Sequence, residues 1–195
     1  MISLKTYCVP LSWVLGMTPD ALYERQRVLA RSGYLTGAVA GKGPGSGIRA
    51  TVPNVTKLLL STLATDTLSE IDAKTRKFAT LKQVDGKCPL TGELRFQSAL
   101  EKILASPDLT KSVHGIVIRR EDMGATINYV IMPHKSRLLD TDFGQPRRKV
   151  YDPPSMSGRL ITATLRGWSI GMIADDLQDI ASGASIRKLR TVQID

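Results

Sequence analysis

Six glycines fall between Gly33 and Gly47 in the stretch "SGYLTGAVAGKGPGSGIR", with Lys42 among them and Arg49 just beyond. Glycine next to lysine is the chemistry of a loop that cradles phosphate. A nucleotide-binding loop, however, needs four residues between its first glycine and the Gly-Lys pair, then a hydroxyl to hold magnesium. Here only three residues separate Gly37 from Gly41-Lys42, Gly43 follows the lysine, and no apolar strand precedes the loop. Nucleotide hydrolysis is therefore set aside. Other reactive types fare no better. His114 and His134 have no carboxylate or cysteine at ligand spacing, and Ser12, Ser61 and Ser98 have no recognisable base. Cys8 and Cys88 are too few and too far apart for a disulfide framework or a zinc site, and they suit a reducing compartment. Asp175, Asp176 and Asp179 are expected on the solvated side of the last helix. The expectation is a protein that is not an enzyme and needs no metal or cofactor.

A second chemistry fits the glycine loop better. Lys and Arg set along a flexible hairpin gain affinity for nucleic acid by releasing counterions from phosphates, and glycine lets backbone approach backbone. The net charge is +9 and the isoelectric point near 9.8, both favouring a polyanionic partner. The charge is uneven. Residues 1–65 hold seven cations (Lys5, Arg25, Arg27, Arg31, Lys42, Arg49, Lys57) against two anions, Asp20 and Glu24.

Positioning such a loop falls to the elements around it. "LSWVLG" reads as a short helix ended by Gly16. "MTPDALYERQRVLARSG" reads as a second, with Thr18 as cap, Pro19 at its first position and Gly33 past its end. Ala21, Leu22, Val28 and Leu29 share one face of it; Asp20, Glu24, Arg27 and Arg31 lie opposite. After the loop, Thr51 caps a helix with Val55, Leu58, Leu59, Thr62 and Leu63 at helical spacing. A further helix uses Leu68, Ile71, Phe78 and Leu81. Turn signals at Asp85-Gly86 and Cys88-Pro89 mark a linker.

The second half reads differently. "ELRFQSALEKILASPDL" is amphipathic, with Leu94, Ala99, Leu100, Ile103 and Leu104 as its core face, and Pro107 stops it. "HGIVIRRED" and "ATINYVIM" alternate as two strands of a hairpin. Residues 134–158 read as loop with a short strand at Lys149–Tyr151. "RLITATLRG" supplies another strand, and "WSIGMIADDLQDIAS" a final helix using Ile170, Ile173, Leu177 and Ile180. "RREDMG" and "PRRK" are basic segments that could add contacts to nucleic acid. The N-terminal run has Lys5 within it and Pro10 breaking it, so neither a signal peptide nor a membrane span is expected.

The stretch "VLGMTPDALYERQRVLARSGYLT" resembles the MerR-type DNA-binding module, in which a short helix, a Ser/Thr-Pro start and a second helix precede a wing. "GIRATVPNVTKLLL" is similar to the part of that family where the wing runs into the next helix. The likeness covers roughly Pro10 to Leu63. It departs in a second helix about one turn longer, a more glycine-rich wing, no long C-terminal coiled coil and no cysteine cluster. The whole chain, with its "ALEKILASPDL" helix and the strands after it, resembles regulators of phages and mobile elements. The resemblance implies that Tyr23, Gln26 and Arg27 meet base edges, and that Arg25 and Arg31 meet phosphates or pack at the helix edge. It further implies that Lys42, Ser46 and Arg49 act on the wing, while Thr18 offers its backbone N–H to a phosphate.

The expected fold class is α+β: an N-terminal winged helix-turn-helix at 1–82, a linker at 83–92, a small α/β domain at 93–182 and a basic tail at 183–195. The expected function is sequence-specific binding of double-stranded DNA by a cytoplasmic, nucleoid-associated transcriptional regulator. An excisionase or small terminase-type factor is the alternative, and an RNA- or ribosome-associated protein a second. Residues 1 to about 80 are expected to bind DNA unaided. The C-terminal half is expected to make a homodimer or bind a protein partner.

Overall fold

The computed structural model describes residues 2–39, 47–131, 138–146 and 161–183. The chain is α+β, with seven α-helices and a four-stranded antiparallel sheet among the described residues. Helix α1 spans Leu4–Leu15 and α2 spans Pro19–Arg31. The two-residue strands β1 (Ala38–Val39) and β2 (Gly47–Ile48) pair as an antiparallel hairpin. Then come α3 (Val52–Ala64), a 3-10 turn at Leu68–Glu70, and α4 (Ile71–Ala79).

Helix α1 begins seven residues before the expected "LSWVLG", because Ser3 caps it by accepting the Thr6 N–H. Leu4, Tyr7, Cys8, Leu11 and Val14 supply the buried stripe. Pro10 is tolerated inside it at the cost of the bond its nitrogen would give. Gly16, at φ +63, closes it in the left-handed conformation that glycine adopts most cheaply. Thr18 then caps α2 through the Ala21 N–H, and Thr51 caps α3 through the Asn54 N–H.

Residues 83–92 contain no helix and hold no free linker. Gln83 and Cys88 are buried, Gln83 bridges to Phe143, and Val84 N–H donates to the Asp142 carbonyl. Helix α5 (Phe96–Ala105) buries Ala99, Leu100, Ile103 and Leu104 as expected. Leu94 precedes that helix and is exposed, as is Leu68, so neither belongs to the core. Pro107 both ends α5 and opens α6 (Pro107–Ser112), with Ser106 as the shared cap.

The sheet runs β5-β4-β3-β6, with β3 at Val113–Arg119, β4 at Gly124–Tyr129, β5 at Leu139–Gly144 and β6 at Thr162–Arg166. The β3–β4 hairpin and β6 were expected; β5 falls in what read as loop. Its alternation explains it: Thr141 and Phe143 point inward, and the Phe143 ring packs at a tilt against Phe96, centroids 5.2 Å apart. The strand expected at Lys149–Tyr151 lies outside the described residues. Helix α7 (Gly167–Ser182) covers β3 and β6 with Ile170, Ile173, Leu177 and Ile180 buried.

One hydrophobic cluster includes residues from both halves. Helix α1 packs on α7, and α3 packs on α5. Asp176 is buried on α7, not solvated as expected, and accepts the Tyr7 hydroxyl at 3.2 Å. Arg119 and Arg120 of "RREDMG" are also spent inside the fold. Arg119 is buried and donates to Asp122, Thr126 and the Gln145 carbonyl. Arg120 reaches back to the Leu63 and Thr62 carbonyls and to the Asp66 carboxylate. They are fastenings, so the basic-contact expectation fails for this segment. Arg147, Arg148 and Lys149 of "PRRK" lie outside the described residues.

Two outcomes follow from this packing. A fragment ending near residue 82 loses α7 and α5, which cover α1 and α3, and should show no cooperative urea transition by far-UV circular dichroism, whereas the full chain unfolds in one. The hydrogen bond from Arg120 holds the Asp66 carboxyl below its ordinary range. A depressed folded value means the stabilisation is present above the unfolded carboxylate's pKa and fades as pH falls through the folded one. Asp66→Asn should therefore flatten the acid limb of a stability–pH curve, measured by urea melts between neutral and acid pH.

Candidate nucleic-acid interface

The segment with the strongest excess of cations is also the one built as helix, turn, helix and hairpin. In α2 the buried residues are Leu22, Arg25, Gln26 and Leu29, the i, i+3, i+4, i+7 pattern of an inward stripe. That geometry corrects two expected contacts. Arg25 is 5% exposed and donates to the Ser61 and Thr65 carbonyls at 2.7 and 2.9 Å, and to that of Asp66 at 3.3 Å. Gln26 is buried too, and its side-chain oxygen lies 3.6 Å from the Cys8 sulfur. Neither can reach a base or a phosphate from there. Burial pushes the Cys8 thiol up to about 12, so it stays protonated at neutral pH.

The opposite face of α2 is open. Arg27 and Arg31 are exposed, as is Asp20, with Tyr23 and Glu24 part-exposed beside them. Arg27 pairs with Glu24 at 2.8 Å on the surface, an arrangement worth about 0.2–1 kcal/mol. A phosphate or a guanine edge can compete with so weak a partner. The three carbonyls around Arg25 could not be so displaced. Lys5, which the sequence reading counted only as charge, sits 4.7 Å over the Tyr23 ring and joins α1 to this face. Its place was legible only if α1 was extended back to Leu4. Thr18 is exposed, with its hydroxyl engaged by the Ala21 N–H.

The hairpin is held firmly at its base. Ala38 pairs with Ile48 and Val39 with Gly47, whose φ of +90 suits glycine. Asn54, in the first turn of α3, is buried and grips both arms. It donates to the Thr36 and Arg49 carbonyls at 2.9 and 3.0 Å and accepts the Thr36 N–H. Arg49 also bridges backbone to backbone with Ser3, and Ala50 N–H donates to the Ile2 carbonyl. The half-buried Arg49 thus stands where the hairpin meets the start of α1. Lys42 and Ser46 lie outside the described residues. Sequence reading missed Asn54. The signal available was an amide three residues after a capping threonine, where its carbonyl and amino group can serve neighbouring backbone.

Between α2 and the hairpin, Tyr34 is bracketed by cations. Lys57 and Arg76 lie 5.0 and 4.5 Å from its ring; Lys57 donates to the Tyr34 carbonyl, and Arg76 to that of Ser32. These contacts fix the exit of α2 and so the take-off of the hairpin.

No family model, curated protein or solved structure matches this chain. The case for any function therefore rests on geometry and charge. Among the described residues, no group of three His, Cys, Asp or Glu could hold a metal, and no helix is long and apolar enough to cross a membrane. His114 is exposed on β3, and His134 lies outside the described residues. The Ser12 and Ser61 hydroxyls donate to carbonyls of their own helices.

The division of α2 into an inner and an outer arginine is directly measurable. Arg25→Ala removes a charged donor from buried carbonyls and should cost about 2–3 kcal/mol in a urea melt. Arg27→Ala should change stability by less than about 0.5 kcal/mol.

Proposed function

We propose that this chain binds double-stranded DNA as a winged helix-turn-helix protein, with α2 in the major groove and the glycine-rich hairpin along the backbone. The observation that carries the reading is the order of α1, the Gly16 turn, α2, the β1–β2 hairpin and α3. With it goes an α2 whose outward side chains include Tyr23, Arg27 and Arg31. Such a helix presents side chains to base edges, and arginine reads guanine with two parallel hydrogen bonds. Arg49 at the hairpin base and Lys42, which lies between β1 and β2 in the sequence, are suited to phosphates. There their effect on affinity is independent of sequence.

The role that goes with this chemistry is transcriptional regulation, of the MerR-like kind carried by phages and mobile elements. The charge excess in residues 1–65 draws the protein to DNA and the outer face of α2 chooses the site. Arg25 and Gln26 have no part in the contact; they set the angle at which α2 is presented.

Full-length protein, a duplex site selected from a random pool, and unrelated duplex of equal length supply the test. In fluorescence anisotropy titrations, Arg27→Ala should weaken the selected site by about 1–3 kcal/mol and leave unrelated DNA nearly unchanged. Lys42→Ala and Arg49→Ala should weaken both duplexes alike, each reducing the salt-dependence slope by about one. If the three variants behave identically on both duplexes, or structured RNA competes as well as the selected site, the reading is wrong.

A further inference from the structure

Along the first half of α7 the surface opens into a groove of about 540 Å³ shared with α6, and none of the chemistry above uses it. Gly171, in the second turn of the helix, is among its lining residues, and an added Cβ there would meet nothing within 4 Å. Glycine weakens a helix interior, and no neighbour within this chain requires the missing side chain here. One turn before it stands Trp168, 54% exposed, on the rim of the same groove. A large apolar knob therefore sits beside a bare strip of helix backbone able to receive one.

The charges are arranged in the same way. Arg166, the residue that caps α7, and Asp175 both line the groove and both are exposed. Arg166 lies five residues before Gly171 and Asp175 four after it, so cation and anion flank the glycine at similar distances, roughly 6–8 Å along the axis. A two-fold axis passing between Ile170 and Gly171 exchanges these positions. It brings Arg166 of each copy level with the other's Asp175 and sets Trp168 of each copy about 3 Å along the axis from the other's Gly171, within the span of an indole ring. Self-complementarity of this kind is what an isologous contact requires, and Trp and Arg are the residue types that anchor such contacts.

We infer that two copies of this chain associate through the outer face of α7, by mutual insertion of Trp168 over Gly171 and crossed Arg166–Asp175 pairs. The inference does not depend on DNA binding, and its test contains no nucleic acid.

Sedimentation equilibrium of the full chain over a wide concentration range should give a monomer–dimer equilibrium. Gly171→Gln fills the groove and improves the helix, so it should shift the protein to monomer with an unchanged or raised melting temperature. Arg166→Glu and Asp175→Arg each place like charges opposite one another, and each variant alone should be monomeric. Mixed in equal amounts they should form a heterodimer, because one copy's Glu then faces the other's Arg while the native pair survives on the opposite side. A wild-type chain that stays monomeric at high micromolar concentration overturns the inference. So does a Gly171→Gln dimer as tight as the wild type, or a mixture of the two charge variants that remains monomeric.

Discussion

Much of the molecule hangs on how the carboxyl end of α3 is satisfied. The last carbonyls of a helix have no partner within it, and buried ones must find donors elsewhere. Here two arginines distant in sequence supply them. Arg25 comes from α2 and takes Ser61, Thr65 and Asp66; Arg120 comes from the β3–β4 turn and takes Thr62 and Leu63. Guanidinium suits the task because it offers several donors in a fixed plane and stays charged even where burial pulls its pKa down, as it does for Arg25. The end of one helix thereby becomes the joint between the helical half and the sheet.

That joint sets what α2 can present. With Arg25 committed inward, helical geometry places Asp20, Glu24, Arg27 and Arg31 outward. Asn54 acts likewise on the hairpin, since one amide side chain fastens both arms to α3. Helix face and hairpin are therefore referred to the same rigid element, α3, from its two ends. Their relative placement does not depend on the hairpin's own two-residue strands, which alone would be too short to hold it.

Most of the helices could be read from sequence because their signals are local. Thr18-Pro19, Thr51 and Gly16 mark ends through their own chemistry, and the apolar spacing of α3 and α7 repeats over several turns. What could not be read was decided by partners far along the chain. Arg25 and Gln26 looked outward because arginine and glutamine usually are; their burial follows from carbonyls some forty residues away and from Cys8. Asp176 looked solvated beside Asp175 until Tyr7 claimed it. Strand β5 was hidden because Asp140 and Asp142 interrupt its apolar residues, although the alternation with Thr141 and Phe143 was present. In the candidate interface, Arg27 and Arg31 lie on the face assigned to them. Lys42 and Ser46 lie outside the described residues, and Lys5 and Asn54 emerge only from packing.

The chain has two tryptophans, and both Trp13 and Trp168 are about half exposed at the surface. Among the described residues the buried aromatic side chains are tyrosine and phenylalanine, Tyr7, Tyr129, Phe78, Phe96 and Phe143. Indole emission from the native protein thus reports on the outside of the molecule rather than on its core. Loss of the fold moves those rings from water-facing to water-surrounded, a small optical change. Covering either ring with another molecule would remove it from water, a large one. Intrinsic fluorescence is, for this protein, an indicator of contact more than of folding.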